Sequence, residues 1–140
     1  MTRGKVLGLD WGTKRIGIAI SDGAGKVALG RPSRERDDLE SDLDYLAGLV
    51  KTEEVKQVVI GMPLHMNGDV GQSAEKVREF KQNLEDRLSV PVDTFDERLT
   101  SSEAERVMVK SDLRREERKE KRDRVAATLI LQRYLDSQVD

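Results

Sequence analysis

Residues Lys5–Asp22, KVLGLDWGTKRIGIAISD, decide the fold. Along Lys5 to Trp11, Leu7, Leu9 and Trp11 point to one side while Val6, Gly8 and Asp10 point to the other, which is the period-two alternation of a strand. Arg15 to Asp22 carries a second β-type apolar pattern. The Gly12-Thr13-Lys14 link between them is short enough for a hairpin, so the two should pair antiparallel. The Gly23-Ala24-Gly25 break introduces a third short run, Lys26 to Gly30, completing a three-stranded meander. The periodicity then changes. Leu39, Leu43, Leu46, Ala47 and Val50 recur at helical spacing, and Gln57 to Gly61 is a β-branched run suited to a buried strand. A loop, Met62 to Gly71, leads to a second helix marked by Val77, Phe80, Leu84 and Leu88. Pro91 to Glu97 forms a fifth strand, and the chain is helical from Ser102 onward. The order βββαβαβα predicts an α/β protein with a mixed five-stranded sheet flanked by helices, the later strands pairing parallel through helical crossovers. No internal repeat, low-complexity tract or linker divides residues 1–140, which are expected to form one domain.

Composition narrows the functional classes. Hydrophobic residues make up 36% and charged residues 37% of the 140, too apolar and too regularly patterned for a disordered chain. Cysteine is absent, which excludes a disulfide framework, a thiolate nucleophile and a cysteine zinc site, and suits a reducing cytoplasm. No tripartite signal opens the sequence and no apolar run approaches the length of a bilayer span, so a cytoplasmic protein without membrane attachment is expected. The formal net charge of -2 does not by itself mark a nucleic-acid binder. Its distribution is more informative. Arg114, Arg115, Arg118, Lys119, Lys121, Arg122 and Arg124 are interleaved with Glu116, Glu117, Glu120 and Asp123, a pattern compatible with a solvated helix face or with phosphate contacts.

Three acids stand where chemistry is expected. In open α/β sheets, functional groups gather beyond the carboxyl ends of the parallel strands. Asp10 is near the end of the first strand, and it reads either as a turn former or as a ligand. Glu97 ends the fifth strand on the side of Asp93 and Phe95, and it reads either as a helix-start acid or as a ligand. Three, four, seven, eight, eleven and twelve residues beyond Asp123 stand Ala126, Ala127, Ile130, Leu131, Tyr134 and Leu135, so this carboxylate opens the core-facing stripe of a helix. An unpaired charge there costs several kcal/mol unless it sits at the wet rim or is compensated by a cation. Acids without histidine or cysteine suit hard ions such as Mg²⁺ or Mn²⁺, which share their ligands with substrate phosphates. The lone His65, in the loop, reads as a bystander.

The residues Gly8-Leu9-Asp10-Trp11-Gly12-Thr13-Lys14-Arg15-Ile16-Gly17-Ile18-Ala19 with Ser21-Asp22 resemble the first motif of the YqgF/RuvX family. That family is associated with Holliday-junction resolution and with maturation of the small-subunit ribosomal RNA precursor. Gly61-Met62-Pro63-Leu64 with Met66, Gly68 and Gly71 is similar to its second block. Asp96-Glu97-Arg98-Leu99-Thr100-Ser101 is similar to the third. Asp123 with Ala126-Ala127, Ile130-Leu131-Gln132 and Tyr134-Leu135 is similar to the last. One departure is Lys121-Arg122, where the family carries apolar residues, implying a more exposed start to that helix.

The resemblance implies a ribonuclease-H-like fold and a metal-dependent nuclease in which Asp10, Glu97 and Asp123 are the catalytic, metal-binding acids. Two ions, Mg²⁺ or Mn²⁺, about 4 Å apart would share the work of activating water and stabilising the leaving oxygen. Gly12, Lys14, Arg15, Arg98, Arg118, Lys119, Arg122 and Arg124 are candidate substrate contacts. The expected substrate is the pre-16S rRNA precursor. The alternatives are branched DNA, cut by a homodimer, or a non-catalytic RNA-binding role with ribosome-assembly or transcription partners. Asp10-Trp11-Gly12-Thr13 also resembles the phosphate loop of the actin and sugar-kinase superfamily. Those proteins close two such domains around a nucleotide, and one short domain cannot do so.

Overall fold

In the computed structural model, residues 4–62, 72–96 and 115–138 are described. They form β1 (Lys5–Trp11), β2 (Arg15–Ser21), β3 (Ala28–Glu35), α1 (Leu39–Thr52), β4 (Val55–Met62), α2 (Gln72–Arg87), β5 (Val92–Asp96) and α3 (Arg115–Ser137). The five strands make one sheet in the order β3-β2-β1-β4-β5. β1 pairs antiparallel with β2 and parallel with β4, and β4 pairs parallel with β5. The central strand is therefore the place where strand direction changes, because a three-residue link permits only antiparallel return while α1 and α2 carry the chain back for parallel pairing.

The alternation in β1 sorts the core into two layers. Leu7 and Leu9, with Ile16, Ile18 and Ile20 of β2, are buried with Leu43 and Leu46 of α1 and Val77, Phe80 and Leu84 of α2. On the opposite side, Val6, Ala19 and Val59 are buried with Ala127, Leu131 and Leu135 of α3. Small residues let α3 approach closely. A Cβ built on Gly8 would lie 2.7 Å from Leu131 Cβ, and one built on Gly30 would lie 2.8 Å from Arg124 Cγ.

Two local expectations are corrected. β3 begins at Ala28, not Lys26, and continues through Glu35, not Gly30. Asp22 Oδ1 accepts the backbone N–H groups of Lys26 at 2.8 Å and Val27 at 3.1 Å, which keeps these residues in a turn. The extension, Arg31–Glu35, is an edge segment whose largely polar side chains carry no apolar alternation. In α1, Leu39 does not join the core and is 39% exposed, whereas Asp42 is fully buried. Asp38 caps α1 by accepting from the Ser41 N–H at 2.8 Å, which holds its carboxyl below the usual range. The 63–71 portion of the expected loop, and the expected helical residues 102–114, lie outside the described residues.

Candidate active site

Asp10 stands at the carboxyl end of the central strand, half-buried, on the sheet face covered by α3. Its antiparallel partner on β2 is Gly17. Continuing the parallel register from Leu9↔Ile60, Asp10 is level with Gly61, which pairs with Phe95 of β5. The residues level with Asp10 on both neighbouring strands are thus glycines, which carry no side chain on its face of the sheet. Phe95 faces the same layer, its ring edge-on to Tyr134 of α3 with centroids 6.0 Å apart.

Helix α3 runs against the direction of β1. Gln132 reaches the start of β3, with Oε1 accepting from Ala28 N at 2.9 Å and Nε2 donating to Lys26 O at 2.9 Å. One and two turns earlier, Thr128 and Arg124 lie over Gly30, two residues further along β3. Since β3 and β1 both run antiparallel to β2, moving back along α3 moves toward the carboxyl end of β1. The backbone of Asp123, the ninth residue of α3, is therefore displaced from Leu131 in the direction of the carboxyl end of β1. Ala126, Ala127, Ile130, Leu131 and Leu135 are buried, as the stripe beginning at Asp123 requires.

The turn after Asp10 is built from the backbone outward. Gly12 N donates to Arg15 O at 2.9 Å, and a Cβ on Gly12 would lie 2.8 Å from that same oxygen, so glycine is needed for the turn itself. Arg36 N donates to Lys14 O at 2.9 Å, and Arg36 Nη1 donates to Gly12 O at 3.4 Å. Arg36 is in turn held by Asp42, whose carboxylate accepts from Arg34 Nε at 3.0 Å, Arg36 Nε at 3.4 Å and Asp37 N at 3.0 Å. A fully buried carboxylate here is compensated by two guanidinium groups and a backbone N–H. This clamp beneath the turn was missed by the sequence reading. Its one available signal was that Asp42 lies four residues before Leu46, on the helix stripe that enters the core.

Among the predicted contacts, Lys14 is exposed and Arg15 makes a 3.9 Å ion pair with Glu35, its partner across β2 and β3. The stem of Arg124 packs at Gly30. Ser21 and Asp22 of the first motif have structural work: the Ser21 hydroxyl accepts from Val6 N at 2.8 Å and donates to Asp22 O at 2.9 Å, while Asp22 makes the turn described above. Glu97, Arg98 and His65 lie outside the described residues, as do the side chains of Arg118, Lys119, Arg122 and Asp123. Among the described residues, no three His, Cys, Asp or Glu side chains form a metal cluster, and no helix is long and apolar enough to cross a membrane. Asp10 itself is a hard oxygen donor at a strand end, the donor type that a divalent cation such as Mg²⁺ takes.

Comparison with known proteins follows the same outline. The model of the RuvX family, described as Holliday junction resolvase, matches residues 4–137. A "Putative pre-16S rRNA nuclease" of Syntrophomonas wolfei is 48% identical over 132 residues, covering 94% of both chains. A protein of the same name from Shouchella clausii is 47% identical over 136 residues, covering 96% of both. Among solved structures, T. thermophilus RuvC in complex with a Holliday junction substrate superposes with a TM-score of 0.61 at 11% identity, covering 97% of this chain and 96% of RuvC. A second T. thermophilus RuvC structure gives a TM-score of 0.56 at 12% identity, covering 96% and 95%. The sheet and its helices thus have the ribonuclease-H-like fold.

Proposed function

This chain belongs to the RuvX family, and from that membership we propose that it is a single-domain, cytoplasmic, metal-dependent nuclease that hydrolyses phosphodiester bonds of the pre-16S rRNA precursor. The observation that carries the reading is the position of Asp10: a half-buried acid at the carboxyl end of the central strand, beside two glycines and beneath the helix that bears Asp123. In this reading Asp10, Glu97 and Asp123 are the catalytic acids and would hold two Mg²⁺ or Mn²⁺ ions. When bound, the ions supply activation of water and stabilisation of the leaving oxygen.

The chain's own groups position the substrate. The Arg36–Asp42 clamp holds the Gly12–Lys14 turn at a fixed place past Asp10. Lys14 is exposed there for a phosphate, and the pair between Arg15 and the largely exposed Glu35 is weak enough for a phosphate to replace Glu35. Arg98, Arg118, Lys119, Arg122 and Arg124 are further phosphate contacts in this reading. The family's description supports a second substrate, a four-way DNA junction. Cutting it symmetrically requires two active sites and hence a homodimer.

The test offers precursor RNA and four-way DNA junctions to the same purified protein in Mn²⁺. Preferential cleavage of the RNA, abolished by chelator, is the expected result. Preferential cleavage of the junction would move the substrate to DNA. Binding of RNA with no cleavage of either substrate would overturn the enzymatic reading and leave a non-catalytic assembly factor.

A further inference from the structure

On the sheet face opposite Asp10, a cleft of about 350 Å³ opens between α1, α2 and the turn after β1. That volume is within the range of about 300–1,000 Å³ typical of small-ligand sites. Its apolar floor is Trp11, Leu39 and Phe80, and Thr13, Arg36, Lys76 and Asn83 add polar groups at the walls. The Arg36 guanidinium lies over the Trp11 ring at 4.7 Å, and the Phe80 ring is 6.1 Å from it at a 45° tilt. Trp11 Nε1 is buried without a hydrogen-bond partner among the described residues.

The charge of the cleft favours an anion. Arg36 brings a positive charge to the wall, with Asp42 pairing it from behind. Lys76 adds another, and Glu79 is the acid on the wall. Aromatic and guanidinium planes beside cations are the combination that takes a base and its phosphate from an unpaired strand. Position agrees with chemistry. Trp11 directly follows Asp10 and points to the other face, so the cleft and the acid are separated only by the end of β1 and its turn.

We propose that this cleft is a subsite for one unpaired nucleotide of the substrate strand, flanking the phosphate held at Asp10. The proposal rests on the nucleic-acid reading above and adds that the strand is single-stranded beside the cleavage site, because a base held in a duplex cannot enter. The base lies against the exposed part of Trp11 and Leu39, with Phe80 buried behind Trp11, and its phosphate takes the charge of Lys76 and Arg36.

Trp11 is the only tryptophan in the chain, so its emission reports the cleft directly. The experiment titrates the full chain, in excess chelator to prevent cleavage, with short single-stranded oligouridylate, the same strand in a duplex, and uridine monophosphate. Saturable quenching by the single strand is expected, with much weaker response to the duplex. Lys76 and Glu79 are both exposed, so replacing them leaves the core intact. Lys76→Ala should weaken the single-strand response about three- to fivefold and lower the salt slope by about 0.7, the value for one phosphate contact on a single strand. Glu79→Gln should tighten it. Emission unmoved by the oligomer, a response equal for duplex and single strand, a response to the mononucleotide alone, or indifference to both variants would each overturn the subsite. Quenching in chelator without any later cleavage in Mn²⁺ would uphold the subsite and sink the nuclease reading. Cleavage with unmoved emission would do the reverse.

Discussion

Asp10 is a carboxylate between Gly17 and the level of Gly61, and its value to the protein depends on which other acids approach it. If Glu97 and Asp123 converge there, three like charges repel in the absence of metal. Asp10→Asn then keeps the shape, removes one charge and leaves stability in chelator unchanged or higher. Cleavage should fall about 10²–10³-fold, the usual scale for losing one preorganised electrostatic group. Near wild-type cleavage by the variant would remove Asp10 from the catalytic set. Asp42 should behave oppositely. Asp42→Ala strands two guanidinium groups that are about one-fifth exposed, and is expected to cost about 3 kcal/mol in a denaturant titration, the lower end for breaking a buried pair. A loss within experimental error of zero would show that Arg34 and Arg36 find other partners.

At the scale of the element, α3 is placed by what the sheet lacks. Gly8 and Gly30 have no Cβ where Leu131 and Arg124 approach, so the helix sits close enough to bury Ala127 and Leu131 completely. Gly8→Ala puts a methyl 2.7 Å from Leu131 Cβ, an atom that moves only with its helix. The expected cost is about 1–3 kcal/mol, and cleavage should fall with it because the helix that bears Asp123 shifts. Full activity with normal stability would show that α3 does not need this contact. Helix α1 is set by its cap. Ser41's backbone and side chain hold the Asp38 carboxyl below its ordinary value, so its contribution to stability is full above the unfolded pKa and is lost as pH falls through the lowered folded pKa. The stability difference between wild type and Asp38→Ala should therefore be present at neutral pH and close in acid. A difference independent of pH would assign the cap to something other than the carboxylate.

For the whole molecule, α1 and α2 cover one face of the sheet and α3 covers the other, with Asp10 on the α3 side of β1 and Trp11 on the side of α1 and α2. Metal that binds only the folded acids should stabilise the entire chain. Mg²⁺ or Mn²⁺ at about one hundred times its dissociation constant is expected to add about 2.7 kcal/mol. A melting point that rises with metal in the wild type and not in Asp10→Asn is the expected outcome. Equal shifts in both proteins would place the metal elsewhere.

The strand hairpin, the assignment of Leu7, Leu9 and Trp11 to one face and of Asp10 to the other, and the strand-helix order were legible in the residues, because alternation and helical spacing are local properties of the chain. The α3 stripe was legible for the same reason, down to the alanines at 126 and 127. Less local features were not. Residues 31–35 pair with β2 through their backbone at a sheet edge, and their polar side chains carry no signal of it. Asp42 could be seen on the inward stripe of its helix, yet its burial depends on Arg34 and Arg36 folding back from the preceding segment. The cleft beside Trp11 joins Thr13 to Asn83 across two helices, so no stretch of sequence contains it. Local periodicity determined which residues face inward. Only the tertiary structure decided which charges meet there, because pairing energies depend on distances between segments far apart in the chain.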